Sequence, residues 1–557
     1  MADQSTSRRH AAGRDDEPPT LVVKRGVRAE DHTQIMRYTP TGTTLLPRVK
    51  DAPPPPEEPT ATHAPGLRIP GWKQLLLFLV PAVVSFAVGW QGVGQRKLWN
   101  DEYATYHAAT LSWDDLVKLL DNVDRVLGLY YVLMHGWISF AGDSIEMLRL
   151  PSVVVMAFGA GFVALIGQRL LDSNAGLVAG LVFAVIPTVT RYSQEARSYA
   201  FAVAFAALAT WLLLVALERP VWGFWLLYAV AVGLTAAFHL ISVLILFPHI
   251  LLTWFRYQRS ERDVRLWKSL GALALIAAFA MPMAYAGSGQ SDAIGWIKAD
   301  QRAVMQFPGD LFGSNPAAIA LLVLGLLAVL ALLLAKRGKL AVVFLVWTLL
   351  PPVFTFVTHP LLNAFLFRYL LFTLIGWALL VAAGIYGIVR LMTSRSWPQL
   401  PIAALVIAAM VLVTLPAQHA LRESVLPGES DFAAAAQTVG AGSKAEDGIA
   451  YAGNVRALRR AMEYEMRSDT TAWPADIFEV RTAAERGDFG AEECAETAPC
   501  VGKRNRIWLV NTSKGDDPWV GMKAERSDTL RRMFTVSEHW NHQEIHIYLL
   551  VRRTPAK

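Results

Sequence analysis

About eleven apolar runs, each long enough to make a helix of some twenty residues, decide what this chain can fold into. The first covers Gln74 to Gly94, and the others begin near Leu150, Ala175, Tyr199, Val221, Leu240, Leu270, Pro316, Leu340, Tyr369 and Pro401. An apolar helix of about 20 residues crosses a hydrocarbon layer of roughly 30 Å, and no soluble core needs that much apolar sequence. Of 557 residues, 54% are hydrophobic and only 18% charged, which is the balance of a polytopic membrane protein. The expectation is an all-α membrane domain over residues 71–416 with about 11 transmembrane helices. Its first run starts some seventy residues after Met1, too late for a cleaved signal, so it should persist as a helix and leave the N-terminus cytoplasmic.

Lys and Arg collect in cytoplasmic loops, which gives an independent reading of orientation. With the N-terminus inside, the loop RYQRSERDVRLWK from Arg256, the turn KRGK from Lys336 and the stretch from Arg390 to Arg395 all fall on the cytoplasmic side. Eleven crossings then put the tail outside a plasma membrane. This topology signal explains most of the net charge of +6, and no motif for nucleic acid is present, so none is expected as a partner.

Residues 1–70, rich in Pro, Thr, Arg and Asp and containing PPPPEEP from Pro53, show no apolar periodicity and are expected to be a disordered cytoplasmic tail. A polar loop of about fifty residues, 95–147, follows the first span, and long loops tend to carry function. Within it, Trp113, Leu116, Val117 and Leu120 share one helical face, which predicts a helix on the outer membrane surface, and 128–140 is a second helical piece. The tail, 417–557, alternates helix-like and strand-like pieces: DFAAAAQTV with Asp431 as N-cap, DGIAYAG, VRALRRAMEYEM, RIWLV and IHIYLLV. It reads as a small extracytoplasmic α/β domain. It has no glycine-rich phosphate loop, and Asn511-Thr512-Ser513 is a single match to a glycosylation acceptor. Cys494 and Cys500 flank the loop AETAP in this tail; an oxidising exterior permits a disulfide there, two free thiols are the alternative, and a zinc site fits less well because no histidines lie near.

The acidic pair Asp101-Glu102 stands just past the outer end of the first span, where carboxylates are costly and usually functional. Basic residues on the outer side break the orientation trend and need another explanation. Arg191 and Arg197 end the third span, Arg368 the tenth, Lys298 and Arg302 lie in an outer loop, and Arg125 is in the long first loop. Guanidinium groups clustered at one membrane face suit a phosphate headgroup, which they hold bidentately; the plainer alternative is interfacial anchoring or pairing with Glu195 and similar carboxylates. Taken alone, Asp101-Glu102 could also be a helix cap, since Asn100 and Asp101 are both good capping residues.

Three segments carry a family resemblance: WNDEYATYH from Trp99, GLYYVLMHGWISFAGDSIEMLRLPSVV from Gly128, and RYSQEARSYAF from Arg191, with FRYLL from Phe367 as companion. Over roughly Trp72 to Arg390 the chain resembles the GT-C superfamily of membrane glycosyltransferases. It is most similar to the branch (glycosyltransferase family 39-like) that contains protein O-mannosyltransferases and the aminoarabinose transferase of lipid A, in an actinobacterial-type subgroup. Where many relatives have His-Pro-Pro before the paired tyrosines, this chain has DRVLGLYY from Asp124.

The resemblance implies an inverting transfer of a sugar, mannose or another hexose or pentose, from a polyprenyl-phosphate donor to a hydroxyl of a protein, lipid or polysaccharide acceptor. Asp101 would be the general base, with Glu102 sharing the role or orienting the acceptor. Arg191, Arg197, Arg368 and Arg125 would bind the donor phosphate, and Asp124, Tyr130, Tyr131, Glu195, Tyr199 and Tyr369 would line the substrate site. No cofactor is required by this scheme. Some superfamily members use a divalent metal, but no His-rich or multi-carboxylate spacing here calls for one. The rival readings are a transporter or flippase for lipid-linked glycans and a non-enzymatic cell-envelope assembly protein. Transporters usually carry internal repeats and mid-membrane polar residues; here the polar residues collect at one face.

Overall fold

The computed structural model describes residues 71–258, 264–289, 295–392, 399–467, 473–515 and 517–553, together with three short strands nearer the N-terminus. Those strands, Leu21–Val22, Ile35–Thr39 and Gly42–Leu45, pair antiparallel in a unit of their own, 1–69, where the sequence led us to expect no regular structure; the rest of that expected tail lies outside the described residues.

Residues 70–557 form one compact unit. All eleven apolar runs are helical. Among the described residues nine helices are long and apolar enough to cross a membrane. A bent pair, Ser173–Val185 with Pro187–Ser193, brings the number to ten if it counts as one span, and Trp222–Phe238 is an apolar helix of 17 residues. The helices, in order, are α1 (Trp72–Trp90), α2 (Asn100–Thr110), α3 (Trp113–Asn122), α4 (Gly128–Ala141), α5 (Ile145–Leu170), α6 (Ser173–Val185), α7 (Pro187–Ser193), α8 (Tyr199–Glu218) and α9 (Trp222–Phe238). They continue as α10 (Leu246–Tyr257), α11 (Val264–Ser288), α12 (Gln301–Phe312), α13 (Asn315–Leu334), α14 (Gly338–Val357), α15 (His359–Leu362), α16 (Thr373–Met392) and α17 (Gln399–Ala420).

Helices α8 and α16 are central, with most of their residues buried. Peripheral helices turn Leu and Val outward, as Leu326 (72% exposed) and Leu412 (69%) do, which is what a lipid-facing surface requires. Lipid is as apolar as leucine, so helices in a membrane associate through close backbone packing. Here α5 meets α6 through glycine: a Cβ on Gly176 would lie 2.5 Å from Ala164 O and 2.6 Å from Gln168 N, and one on Gly167 2.7 Å from Gly176 Cα. At the end of α6 the chain bends by 64°, because Pro187 lacks an N–H and holds Ile186 extended (ψ 124°). That bend aims α7 and the turn after it across the mouth of the bundle on the side of the 95–147 loop.

The tail folds as the sequence suggested. Helix α18 (Phe432–Gly442) is capped by Asp431, whose Oδ1 accepts from Ala434 N at 3.0 Å, and α19 is Val455–Met466. They cover a mixed five-stranded sheet in the order Ala475–Asp476, Gly448–Ala452, Arg506–Asn511, Ile545–Arg552, Phe534–His542. Cys494 and Cys500 are joined by a disulfide. Asn511 is buried, and its amide donates to Pro518 O and Val520 O, so the glycosylation match is not an accessible acceptor.

This domain rests on the long first loop, and one apolar cluster runs through both, from Tyr103, Leu116 and Met134 to Phe432, Leu458 and Met462. Tyr103 OH donates to Glu465 at 2.7 Å, Tyr106 meets the Tyr464 ring edge-on, and Asn122 donates to Gly487 O. Helix α3 therefore turns Leu116 and Leu119 inward and is held on its polar side by the tail domain, while Trp113 and Val117 stay exposed.

The glycine contact generates a test. Gly176→Leu is expected to lower the unfolding temperature in detergent, at an overpacking cost of at least about 1–3 kcal/mol. Gly223→Leu, where an added Cβ meets nothing within 4 Å, is the control.

Candidate active site

Helix α2 begins at Asn100, so Asp101 and Glu102 share its first turn, where carboxylates are favoured by the exposed N–H groups. Neighbours on a helix point about 100° apart, and the two carboxylates meet opposite environments.

Glu102 is completely buried. Arg149, from the Leu-Arg-Leu-Pro stretch at the start of α5, holds it bidentately, with Nε to Oε1 at 2.8 Å and Nη2 to Oε2 at 2.7 Å, and Ala196 N donates to Oε1 at 2.8 Å. Arg149 spends its remaining donors on the carbonyls of Val93, Arg96 and Lys97. Burial alone would raise the Glu102 pKa, but the charge and hydrogen bonds of Arg149 bring it below the usual carboxylate value. Fully buried and accepting three hydrogen bonds from Arg149 and Ala196, Glu102 stands in the framework of the site, where the sequence reading had given it a share in catalysis.

Asp101 is 28% exposed and faces two guanidinium groups: Oδ2 is 3.4 Å from Arg368 Nη1 and 4.0 Å from Arg197 Nε. Arg197 comes from the turn between α7 and α8, and Arg368 from the turn preceding α16. Arg368 lies over the rings of Trp99 and Trp296, each 5.5 Å away. Arg197 Nη1 is 3.4 Å from Tyr131 OH, which donates to Asp124 at 2.8 Å. Asp124 has a left-handed backbone (φ 54°), tolerated by Asp better than by most residues. Tyr199, Tyr369 and His239 pack together beside this group. Burial, then Arg368 and Arg197, press the His239 pKa down to about 3, so its imidazole is neutral.

Behind Asp101 lies a second layer of charge. Arg191, the basic residue ending α7, has Nη2 3.2 Å from Glu429 Oε1 and Nε 4.0 Å from Glu195 Oε2. Arg96 lies 4.0 Å from each of Glu102, Glu195 and Glu429. In this layer three guanidiniums, Arg96, Arg149 and Arg191, face three carboxylates, Glu102, Glu195 and Glu429. Around Asp101 the guanidiniums outnumber the carboxylate two to one. At the rim, Arg460 of α19 interacts electrostatically with Asp124 and Asp101, so the tail domain adds a charge to this site. The Nε atoms of Arg191, Arg197 and Arg368 and both oxygens of Glu195 are buried with no hydrogen-bond partner among the described residues. Arg197 and Arg368, which face Asp101, thus keep donors free of protein partners, and such donors suit an anion.

Two further expected residues have partners away from Asp101. Arg125 is exposed, pairs with Asp121 at 2.7 Å and donates to the carbonyl of Leu120. Tyr130 is completely buried with its ring edge-on to Phe201. Arg191 is beside the site, as expected, but its charge is taken up by Glu429. The sequence reading gave no role to Arg96, Arg149 and Glu429, and it left His239 out of the catalytic set as a packed polar residue. Arg149 had a visible signal, a charge inside an apolar helix start; Glu429, in a polar linker, had none. Among the described residues no group of three His, Cys, Asp or Glu side chains converges as metal ligands.

Residues 129–285 match the family model of dolichyl-phosphate-mannose-protein mannosyltransferases. Among solved structures, the chain is similar to ArnT from Cupriavidus metallidurans bound to undecaprenyl phosphate, with a TM-score of 0.51 at 12% identity over 86% of this chain and 98% of that one. The same protein in its apo state gives 0.52 at 11% identity over the same shares. The apo oligosaccharyltransferase of Archaeoglobus fulgidus gives 0.44 at 10% identity over 79% of this chain and 70% of that one. No curated protein matches the chain by sequence. The chain is a multi-pass membrane protein with the GT-C fold. Its likeness runs to the dolichyl-phosphate-mannose-protein mannosyltransferase model over residues 129–285 and to ArnT over most of its length.

Two outcomes follow from the buried layer. Glu102→Gln strands Arg149 without its counter-charge and is expected to cost about 3–5 kcal/mol of stability, read as a large fall in unfolding temperature, whereas Asp101→Asn should cost far less. Burial raises the Glu195 pKa from 4.5 to about 7, against the pull of Arg191 and Arg96. The native state then binds this proton more tightly than the unfolded chain, so the stabilisation is complete below about pH 4.5 and is lost as pH rises through about 7. Glu195→Gln should flatten the fall in unfolding temperature between about pH 4.5 and 7, and an unaltered slope would count against this assignment.

Proposed function

We propose that this chain is an inverting glycosyltransferase that moves a sugar from a polyprenyl-phosphate donor to an acceptor hydroxyl at the outer face of the plasma membrane, with Asp101 as general base. The observation that carries this reading is the partly exposed Asp101 carboxylate set against Arg197 and Arg368, whose Nε donors are otherwise unused. The ArnT structure bound to undecaprenyl phosphate, on the same fold, supports a lipid-linked donor.

In the proposed step the acceptor oxygen attacks the anomeric carbon as its proton passes to Asp101. The bond from that carbon to the phosphate oxygen breaks, its electron pair stays on the phosphate, and the configuration inverts. Charge supports this assignment. A sugar phosphodiester carries one negative charge, which answers the one surplus guanidinium around Asp101. After transfer, Asp101 is neutral and the polyprenyl phosphate carries close to two negative charges, so both guanidiniums are still balanced as charge builds on the leaving group. Tyr131, Tyr199, Tyr369 and the neutral His239 would wall the sugar, and Asp124 would hold Tyr131 in place.

The tail domain packs on the loop that follows α1, on the face opposite to where α1 begins, which agrees with an odd number of crossings. We place that face outside and the start of α1 at the cytoplasm, on the basic-loop pattern. The tail domain would then stand over the site and receive the acceptor.

The test is sugar transfer by purified protein from a panel of polyprenyl-phosphate monosaccharides, wild type beside Asp101→Asn. Turnover of one donor, reduced about 10²- to 10⁴-fold in the variant with donor binding kept, is the expected result. Binding of these lipids without Asp101-dependent turnover would point instead to a transporter or an assembly protein.

A further inference from the structure

Arg191 sits where a phosphate-binding group belongs, yet the chain fills it from within. Glu429 lies on the linker between α17 and α18, and its Oε1 is 3.2 Å from Arg191 Nη2 and 4.0 Å from Arg96 Nη1, with the side chain only 12% exposed. The placement is fixed from several sides. Glu429 N donates to Leu426 O, Gln543 Nε2 donates to Glu429 O at 3.1 Å, and Asp431 N donates back to Gln543 O. Ser424 O, on the same linker, accepts from Lys97 N, which ties the linker to the approach of the acidic pair. A carboxylate on a flexible linker would gain little from one surface arginine; this one is docked, nearly dry and aimed.

Arg191 and Arg368 lie on segments that touch, since the ring of Tyr192, next to Arg191, packs 6.3 Å from that of Phe367, next to Arg368. A phosphate held by Arg197 and Arg368 therefore has Glu429 close behind it. One phosphate meets a surplus positive charge, but a second phosphate extending toward Arg191 meets a carboxylate already in place. Like charges in a poorly solvated site repel strongly, and such a repulsive element is how a site rejects a near neighbour of its ligand.

Resting on the reading of the site as a lipid-phosphate site, we propose that Glu429 is a specificity residue that occupies the position of a second phosphate and so restricts the site to monophosphate-linked polyprenyl lipids. The filter is supplied by the linker to the tail domain, not by the membrane helices.

The experiment measures binding of undecaprenyl phosphate and undecaprenyl pyrophosphate to the full chain in nanodiscs, for wild type, Glu429→Gln, the double variant Arg191→Gln/Glu429→Gln, and Arg368→Ala. Wild type should prefer the monophosphate by about tenfold or more, the scale of one like-charge contact. Glu429→Gln should bring the ratio to within about threefold by freeing Arg191 for the second phosphate. The double variant, which removes both charges together and so leaves no unpaired arginine, should also narrow the ratio, though by less. A ratio unchanged in both variants overturns the proposal, and a fold defect would not move this ratio selectively. Loss of monophosphate binding in Arg368→Ala keeps the lipid-phosphate reading intact whatever Glu429 does. Binding of both lipids that is indifferent to Arg368 overturns that reading and the Glu429 proposal with it.

Discussion

The bidentate pair of Glu102 with Arg149 is the interaction on which the outer half of the molecule depends. It joins four pieces of chain that are far apart in sequence: the first turn of α2, the start of α5, the backbone from Val93 to Lys97, and the turn at Ala196. A buried ion pair seldom adds much stability over an apolar substitute, but removing one partner leaves a charge stranded in a dry place. Its value here is therefore geometric: α2 has one orientation in which Glu102 is satisfied, and in that orientation Asp101 is turned to the mouth. The carboxylate that does not react fixes the one proposed to react.

Charge is arranged in depth. The inner layer is neutral by internal pairing and carries no surplus for a ligand, while the outer layer keeps one surplus guanidinium. This division explains why five arginines at one membrane face do not act as a single anion trap. Those within 4 Å of Glu102, Glu195 and Glu429 are framework; those facing Asp101 are available.

Much of the fold could be read from sequence because apolar length is a strong signal. All eleven runs became helices, and the tail's Asp431 cap and strand pieces stood out through spacing and capping chemistry. The failures have physical causes. The run from Ser173 is bent by 64° at Pro187, and the run at Trp222 makes a helix of 17 residues, so apolar length marked these helices without marking the bend or the shortening. Asp101 and Glu102 looked equivalent because adjacent residues share a composition but not a direction; only α5 distinguishes them. Tyr130 and Tyr131 differ for the same reason, one pressed on Phe201 and the other reaching Arg197. Glu429 gave no warning, since its meaning depends on a linker path fixed by Gln543, more than a hundred residues later.

The shared core between the first loop and the tail domain has a consequence for biosynthesis. Tyr103 emerges from the ribosome 362 residues before Glu465, its hydrogen-bond partner. Through the insertion of every membrane helix in between, α2, α3 and α4 wait with Tyr106, Leu116 and Met134 uncovered. The mouth of the bundle is closed only when the strand after Gln543 has been made and the sheet has formed. Completion of this face is thus deferred to the last stage of synthesis, and a nascent chain stalled within the bundle carries its acidic pair without finished surroundings.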